Sequence, residues 1–126
     1  MIKNKNTFKF ICLIFLSLLF AQCKKDYNVE SLTGTYINRN YDYTPFVPEI
    51  PYVNDTLVLN KDLTFDSAFW GEGTYKIENS LRGSSVKLRY NYEFGKASYT
   101  AKIEENGKGL KIILFEKKNH HYEKIK

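Results

Sequence analysis

Cysteine is nearly absent from this chain. Two occur in 126 residues, Cys12 and Cys23. Histidine is as scarce, present only as the adjacent pair His120 and His121. The three prolines, Pro45, Pro48 and Pro51, all fall in one segment. The long apolar run is short for a membrane span: Phe10 to Ala21 is twelve residues, interrupted only by Ser17. As a helix it rises about 18 Å, against a hydrocarbon core of roughly 30 Å, so a transmembrane helix is not expected. No Gly-rich phosphate loop occurs, and there is no nucleophile elbow or Gly-rich oxyanion turn. Acid pairs such as Glu104–Glu105 point apart on a strand, which leaves glycoside chemistry without a carboxylate pair. The two histidines, if on a strand, point to opposite faces and cannot share a metal as neighbours; Glu116 and Glu123 are near them in sequence only. An exposed polar edge is the expectation for that pair. The sequence therefore predicts no catalytic residues, no metal site and no cofactor, and the chain is not expected to be an enzyme.

What is present begins with the N-terminus. Lys3, Lys5 and Lys9 precede the apolar run, and Ala21-Gln22-Cys23 ends it. A positive start, a short apolar stretch and a small residue near the exit form a secretory signal. The competing reading is an N-terminal core helix, for which no helical partner is evident downstream. Leu19-Phe20-Ala21-Gln22-Cys23 resembles the lipobox of bacterial lipoproteins. That resemblance implies cleavage after residue 22 and a diacylglyceryl group on Cys23; the alternative is an ordinary secretory signal followed by a chance cysteine. Cys12 would leave with the signal. One cysteine would remain, at the first position, with no disulfide partner and no thiol left for catalysis. Cys23-Lys24-Lys25-Asp26 is also similar to a short lysine–acid signal that sends some such lipoproteins to the cell surface. One buried chain holds a protein only marginally, whereas the two or three chains implied here would hold firmly. The expected location is the outer membrane, lipid-anchored on its periplasmic face or at the cell surface.

Cleavage also corrects the charge. The whole chain is +5, from 19 basic and 14 acidic residues, and the signal removes three lysines and no acid. The mature chain is then about +2, with no basic cluster beyond Lys24-Lys25 and Lys117-Lys118, so nucleic acid is not an expected partner.

The mature chain reads as strands. After a polar tether over 23–30, Ser31 to Asn38 alternates, with Leu32, Gly34 and Tyr36 on one face. Asn28 to Leu32 has room for one helical turn. Asn38 to Asn54 holds all the prolines and cannot be a central strand. A connection this long in a small domain is usually functional or disordered. Leu57 and Leu59, then Leu63 and Phe65, flank an Asn60-Lys61-Asp62 turn as a hairpin. Tyr75 and Ile77 continue the alternation. The clearest strand follows, with Val86, Leu88, Tyr90, Tyr92 and Phe94 on one face and Lys87, Arg89, Asn91 and Glu93 on the other. Tyr99, Ala101 and Ile103 repeat it, then Leu110, Ile112 and Leu114, with Ile113 and Phe115 suggesting cover on both sides. A last short strand carries Tyr122. Short strands joined by tight turns predict an all-β fold. An up-and-down antiparallel barrel of seven to eight strands over 31–126 is favoured over a sandwich, because closure removes exposed edges.

Leu32-Thr33-Gly34-Thr35-Tyr36, the long loop after it and the repeated hairpins such as Leu57 to Phe65 and Gly73-Thr74-Tyr75 carry a resemblance over most of 31–126. The chain looks like the lipocalin-like small lipoproteins of the Bacteroidota. Lipocalins place Gly-x-Trp on their first strand; Tyr36 stands in the tryptophan's place here. The mature chain would be 104 residues, well short of a full lipocalin, so the implied cavity is small or filled.

The remaining signal is aromatic. Tyr41, Tyr43, Phe46 and Tyr52 lie in the Pro-containing loop, and Phe69-Trp70 lies near a hairpin end. The strand tyrosines Tyr90, Tyr92 and Tyr99 are expected to be buried. The loop aromatics either plug one barrel mouth or line a ligand entrance, as the first long loop does in lipocalins. Barrel mouths are favoured sites for small ligands, and tyrosine and tryptophan also mark sugar- and protein-binding surfaces. Three readings follow: a membrane-tethered carrier of a small apolar or amphipathic ligand, a filled barrel docking onto an envelope protein through Phe69-Trp70 and the loop, and an inhibitor or periplasmic accessory.

Overall fold

The computed structural model describes residues 7, 9–15, 26–41, 50–51, 54–107, 109–116 and 119–126. Cys23, Tyr43, Phe46 and Tyr52 lie outside the described residues. Residues 9–15 are helical and leave Phe10, Ile11, Leu13, Ile14 and Phe15 exposed, which does not fit a core helix. Among the described residues no helix is long and apolar enough to cross a membrane.

Eight strands follow: β1 (Gly34–Asn40), β2 (Thr56–Leu59), β3 (Thr64–Ser67), β4 (Gly71–Ser80), β5 (Gly83–Tyr92), β6 (Gly95–Asn106), β7 (Gly109–Phe115) and β8 (His120–Lys124). Each pairs with the next, and β8 returns to β1, so the sheet closes as an eight-stranded barrel. The pairs are antiparallel throughout. The closed, lipocalin-like barrel is thus present and the sandwich is not. Closure leaves no strand edge unpaired.

Alternation decides the interior. Val86 and Leu88 of β5 are buried while Arg89 is exposed, and β7 buries Leu110, Ile112 and Leu114. With Tyr36, Leu57, Leu59, Phe65, Tyr75, Ala101, Ile103 and Tyr122 these form one continuous core. Burying each large apolar side chain contributes about 1.5–3 kcal/mol. Gly73 of β4 is bare for a reason: a Cβ there would lie 2.0 Å from the Arg89 carbonyl oxygen and 2.6 Å from the Phe65 ring. The close approach of Phe65 to the β4 backbone requires glycine.

Because the strands alternate in direction, one end of the barrel, its base, gathers the starts of the odd strands. A single helical turn, Val29–Leu32, closes it. Asn28 caps that turn, its side chain accepting from Ser31 N at 2.8 Å, while Ser31 Oγ accepts from Asn28 N at 3.0 Å. Leu32 is fully buried, and its carbonyl accepts from the Tyr36 hydroxyl at 2.6 Å. Burial pushes that hydroxyl well above the usual tyrosine range. Tyr36 therefore closes the base from the first strand.

Three expectations are corrected here. The segment before the barrel is not simply a polar tether up to residue 30. Tyr27 is buried and clamped to Asn79, donating its N–H to Oδ1 and accepting from Nδ2, both at 3.0 Å. The first strand begins at Gly34, after the helical turn, and runs on to Asn40 because β8 pairs with it there. His120 and His121 are not an exposed edge; both are buried. β8 is flanked by β1 and β7, so closure turns an expected edge into an interior strand.

Candidate functional site at the barrel mouth

The other end of the barrel carries the connection after β1, the turn over residues 68–70, the β5–β6 tip and the connection before β8. Its centre is a buried carboxylate. Asp55, just before β2, accepts from Ser67 Oγ at 2.7 Å, from the Tyr122 hydroxyl at 2.5 Å and from Phe69 N at 3.2 Å. A carboxylate with several donors is among the stronger buried arrangements. Burial, and then the Asp55 carboxylate beside it, hold the Tyr122 hydroxyl far above the ordinary tyrosine range, so it remains a neutral donor. Ser67 Oγ also accepts from Phe69 N and Trp70 N, at 3.1 and 3.2 Å. The network shapes the 68–70 turn and aims Trp70 inward.

Trp70 is 5% exposed. Its ring stacks on Tyr99 at 5.6 Å and 27°, and lies 5.8 Å from Tyr122, 6.3 Å from Tyr90 and 5.3 Å from Phe69. These separations lie in the range where aromatic pairs contribute beyond area burial. Ile50, at the end of the long loop, belongs to the same core, and the Pro51 carbonyl accepts from Asn38 Nδ2 at 3.1 Å. Ile50 and Pro51 thus fasten the end of the loop to the barrel. Two polar groups sit buried there without a hydrogen-bond partner among the described residues: Trp70 Nε1 and both ring nitrogens of His120.

The sequence-expected residues separate. Phe69 is partly exposed at the rim, whereas Trp70 is core and cannot serve as a docking residue. Tyr41 is exposed and lies against His121, ring centroids 6.0 Å apart. His121 and Tyr122 are adjacent on β8 and point to opposite faces, so Tyr41 covers the outer wall rather than lining the mouth. Tyr90 and Tyr99 are half-buried against Trp70, as expected, but Tyr92 is exposed. The β5–β6 hairpin carries it past the barrel rim. Beside it at the tip stands Phe94, 84% exposed and 6.2 Å from the Tyr92 ring.

Sequence reasoning missed two features. One is Asp55, whose partners come from two distant points of the chain, the segment Ser67 to Phe69 and Tyr122 of β8. The other is a cleft of about 520 Å³ over the upper β4–β5–β6 wall, lined by Thr74, Lys87, Arg89, Asn91, Lys96 and Ser98 beside Gly73, Tyr90 and Ala97. It holds three cations and no acid. The alternation of β5 was the available signal, since it places Lys87 and Arg89 together on the outer face. A second, small cavity of about 80 Å³ adjoins His120, His121, Glu104 and Glu116. Among the described residues no three His, Cys, Asp or Glu side chains converge as metal ligands would.

Comparison with known proteins finds no match: no protein-family model, no curated protein and no solved structure is similar to this chain.

Proposed function

We propose that the chain is an outer-membrane lipoprotein, anchored through Cys23, whose lipocalin-like barrel is a filled scaffold presenting its mouth to an envelope protein with an acidic surface. The observation that carries this reading is the position of Trp70. It fills the space below the mouth, while the exposed groups, Phe69, Tyr92 and Phe94, face outward. The cationic cleft of Lys87, Arg89 and Lys96 adjoins that aromatic rim and supplies the charge preference. Aromatic anchors beside basic groups are the composition of protein-binding surfaces. The exposed apolar helix at 9–15 and the short run that contains it support export.

The test is photo-crosslinking in bacteria from a benzophenone amino acid at Phe94, with the exposed Glu78, near the base end of β4, as a control position on the barrel wall. The expected result is one discrete adduct from position 94, lost when Lys87, Arg89 and Lys96 are changed to Glu. No adduct from position 94 overturns the reading.

A second reading has its own observation. Among the described residues Trp70 Nε1–H is a buried donor without a partner, and the His120 ring has no hydrogen bond beyond the influence of the Pro51 carbonyl; an unsatisfied buried group costs about 1–3 kcal/mol. A small amphipathic ligand entering the mouth would satisfy them. Native mass spectrometry of the detergent-extracted chain separates the two: a bound small molecule that leaves on denaturation favours the carrier, and a bare mass the scaffold.

A further inference from the structure

The base of the barrel carries apolar residues where turns ordinarily carry polar ones. Leu81, at the β4–β5 tip, is 94% exposed. Two-residue hairpin tips favour Asn, Asp and Gly. Leu63, at the β2–β3 tip, is exposed and has a φ of +67°. The hairpin itself holds that conformation: Leu63 N donates to the Asn60 carbonyl at 3.2 Å, and the Leu63 carbonyl accepts from Tyr75 N at 2.9 Å, which leaves the exposed side chain as the feature to explain. Ile125, at the end of β8, is exposed as well. The alternating strand directions bring all three to the same end.

Each of these residues has a cation within two positions, Lys61, Arg82, and Lys124 with Lys126, and two of them have an acid as near, Asp62 beside Leu63 and Glu123 before Ile125. The Lys124 ammonium donates to the Ser31 carbonyl at 2.8 Å, which fixes that charge beside the closing helical turn. Apolar tips set among Lys and Arg suit the boundary of a lipid bilayer: the apolar groups enter the boundary layer and the long cationic stems reach the headgroups.

An independent observation points the same way. Tyr27 is clamped to Asn79, two residues from Leu81. Cys23 lies four residues before Tyr27, a span of at most about 14 Å when fully extended. A lipid on Cys23 therefore holds the base, rather than the mouth, close to the bilayer. The mouth lies the length of β5 away, ten residues or roughly 30 Å.

We propose that the barrel stands base-down on a phospholipid bilayer, with Leu63, Leu81 and Ile125 in the headgroup boundary and the mouth directed away from the membrane. This rests on the lipidation of Cys23 proposed above. The experiment uses the full chain, produced in bacteria and purified from their membranes, bearing either Leu81→Cys or Phe94→Cys. Intact mass is read first. A diacylglyceryl mass on Cys23 upholds the anchor, and a bare Cys23 overturns the anchor and the orientation together. The introduced thiol then takes a nitroxide, and the protein is placed in vesicles of phosphatidylethanolamine with a minority of phosphatidylglycerol. The expected result is that the label at position 81 loses collisions with an aqueous nickel chelate and gains collisions with oxygen, while the label at position 94 stays aqueous. A lipidated protein whose position 81 remains aqueous, or whose position 94 is the buried one, overturns the orientation and leaves the anchor standing.

Discussion

The Tyr122 hydroxyl donates to the Asp55 carboxylate across 67 residues of chain. It joins the last strand to the residue that opens the second, inside a barrel that closes between the first strand and the last. Ser67 and Phe69 N–H complete the carboxylate's donors, so a single side chain ties three parts of the mouth together.

Removing that carboxylate leaves buried donors unsatisfied. Asp55→Ala is expected to lower stability by about 2–4 kcal/mol, and Tyr122→Phe by about 1–3 kcal/mol. Urea titration followed by far-UV circular dichroism measures both. The double variant is expected to cost less than the sum, because each change removes the same bond. Additive losses would show that the two residues act separately.

Acid is expected to weaken the barrel through its two histidines. Burial lowers the pKa of His120, with the Pro51 carbonyl opposing it. Burial, then Lys111, lowers that of His121, with Glu123 among the groups opposing. Each ring binds its proton less readily folded than unfolded. The stability contributed by the neutral rings is fully present above about pH 6.5 and is lost as pH falls through that value toward the folded pKa values. Urea midpoints at pH 8 and pH 5 measure the loss. His120→Phe is expected to reduce the loss, because it removes one of the two rings that bind a proton less readily in the folded state. An unchanged pH dependence in that variant would assign the effect to His121 or to the carboxylates.

Trp70 offers a separation of packing from polarity. Trp70→Phe keeps an aromatic ring below the mouth and removes the unpartnered N–H, so a change within about 1.5 kcal/mol is expected. Trp70→Ala is expected to cost about 3–5 kcal/mol through the cavity it leaves. Thermal melts of the two variants give the comparison. Equal losses would mean that the N–H has a partner in solution.

Gly73→Ala is expected to destabilise by about 2 kcal/mol or more through overpacking. The new methyl meets the Arg89 backbone as well as the Phe65 ring. Shortening the ring with Phe65→Leu should therefore rescue only part of the loss, read as a urea midpoint.

The local pattern of the fold was legible because alternation records burial directly. Val86 and Leu88 against Arg89 read as a half-buried strand, and the turn near Asn60 read as a hairpin. The helical turn at Val29–Leu32 also fell within the span that allowed one. What escaped depends on closure. His120 and His121 look like polar residues near a chain end, and they are buried only because β1 lies on the far side of β8. Trp70 looked like a surface anchor beside Phe69, and only the Ser67 and Asp55 bonds reveal that its turn points inward. Asp55 lies just before the hairpin whose alternation begins with Leu57, outside any pattern. No local pattern marks a residue whose partners are 12, 14 and 67 positions away.

Seven of the eight strand pairings join neighbours in sequence; the eighth, β1 with β8, spans nearly the whole domain. Pairings between neighbours close short loops quickly, whereas a distant one must wait for the ends to be brought together. The β1–β8 seam is thus expected to form late in assembly. The Arg39–Glu123 ion pair, the His pair and the bonds of Ile125 and Lys126 to Thr35 all lie along it. A change in β1 or β8 therefore acts on the closure of the whole barrel and not on its own strand alone.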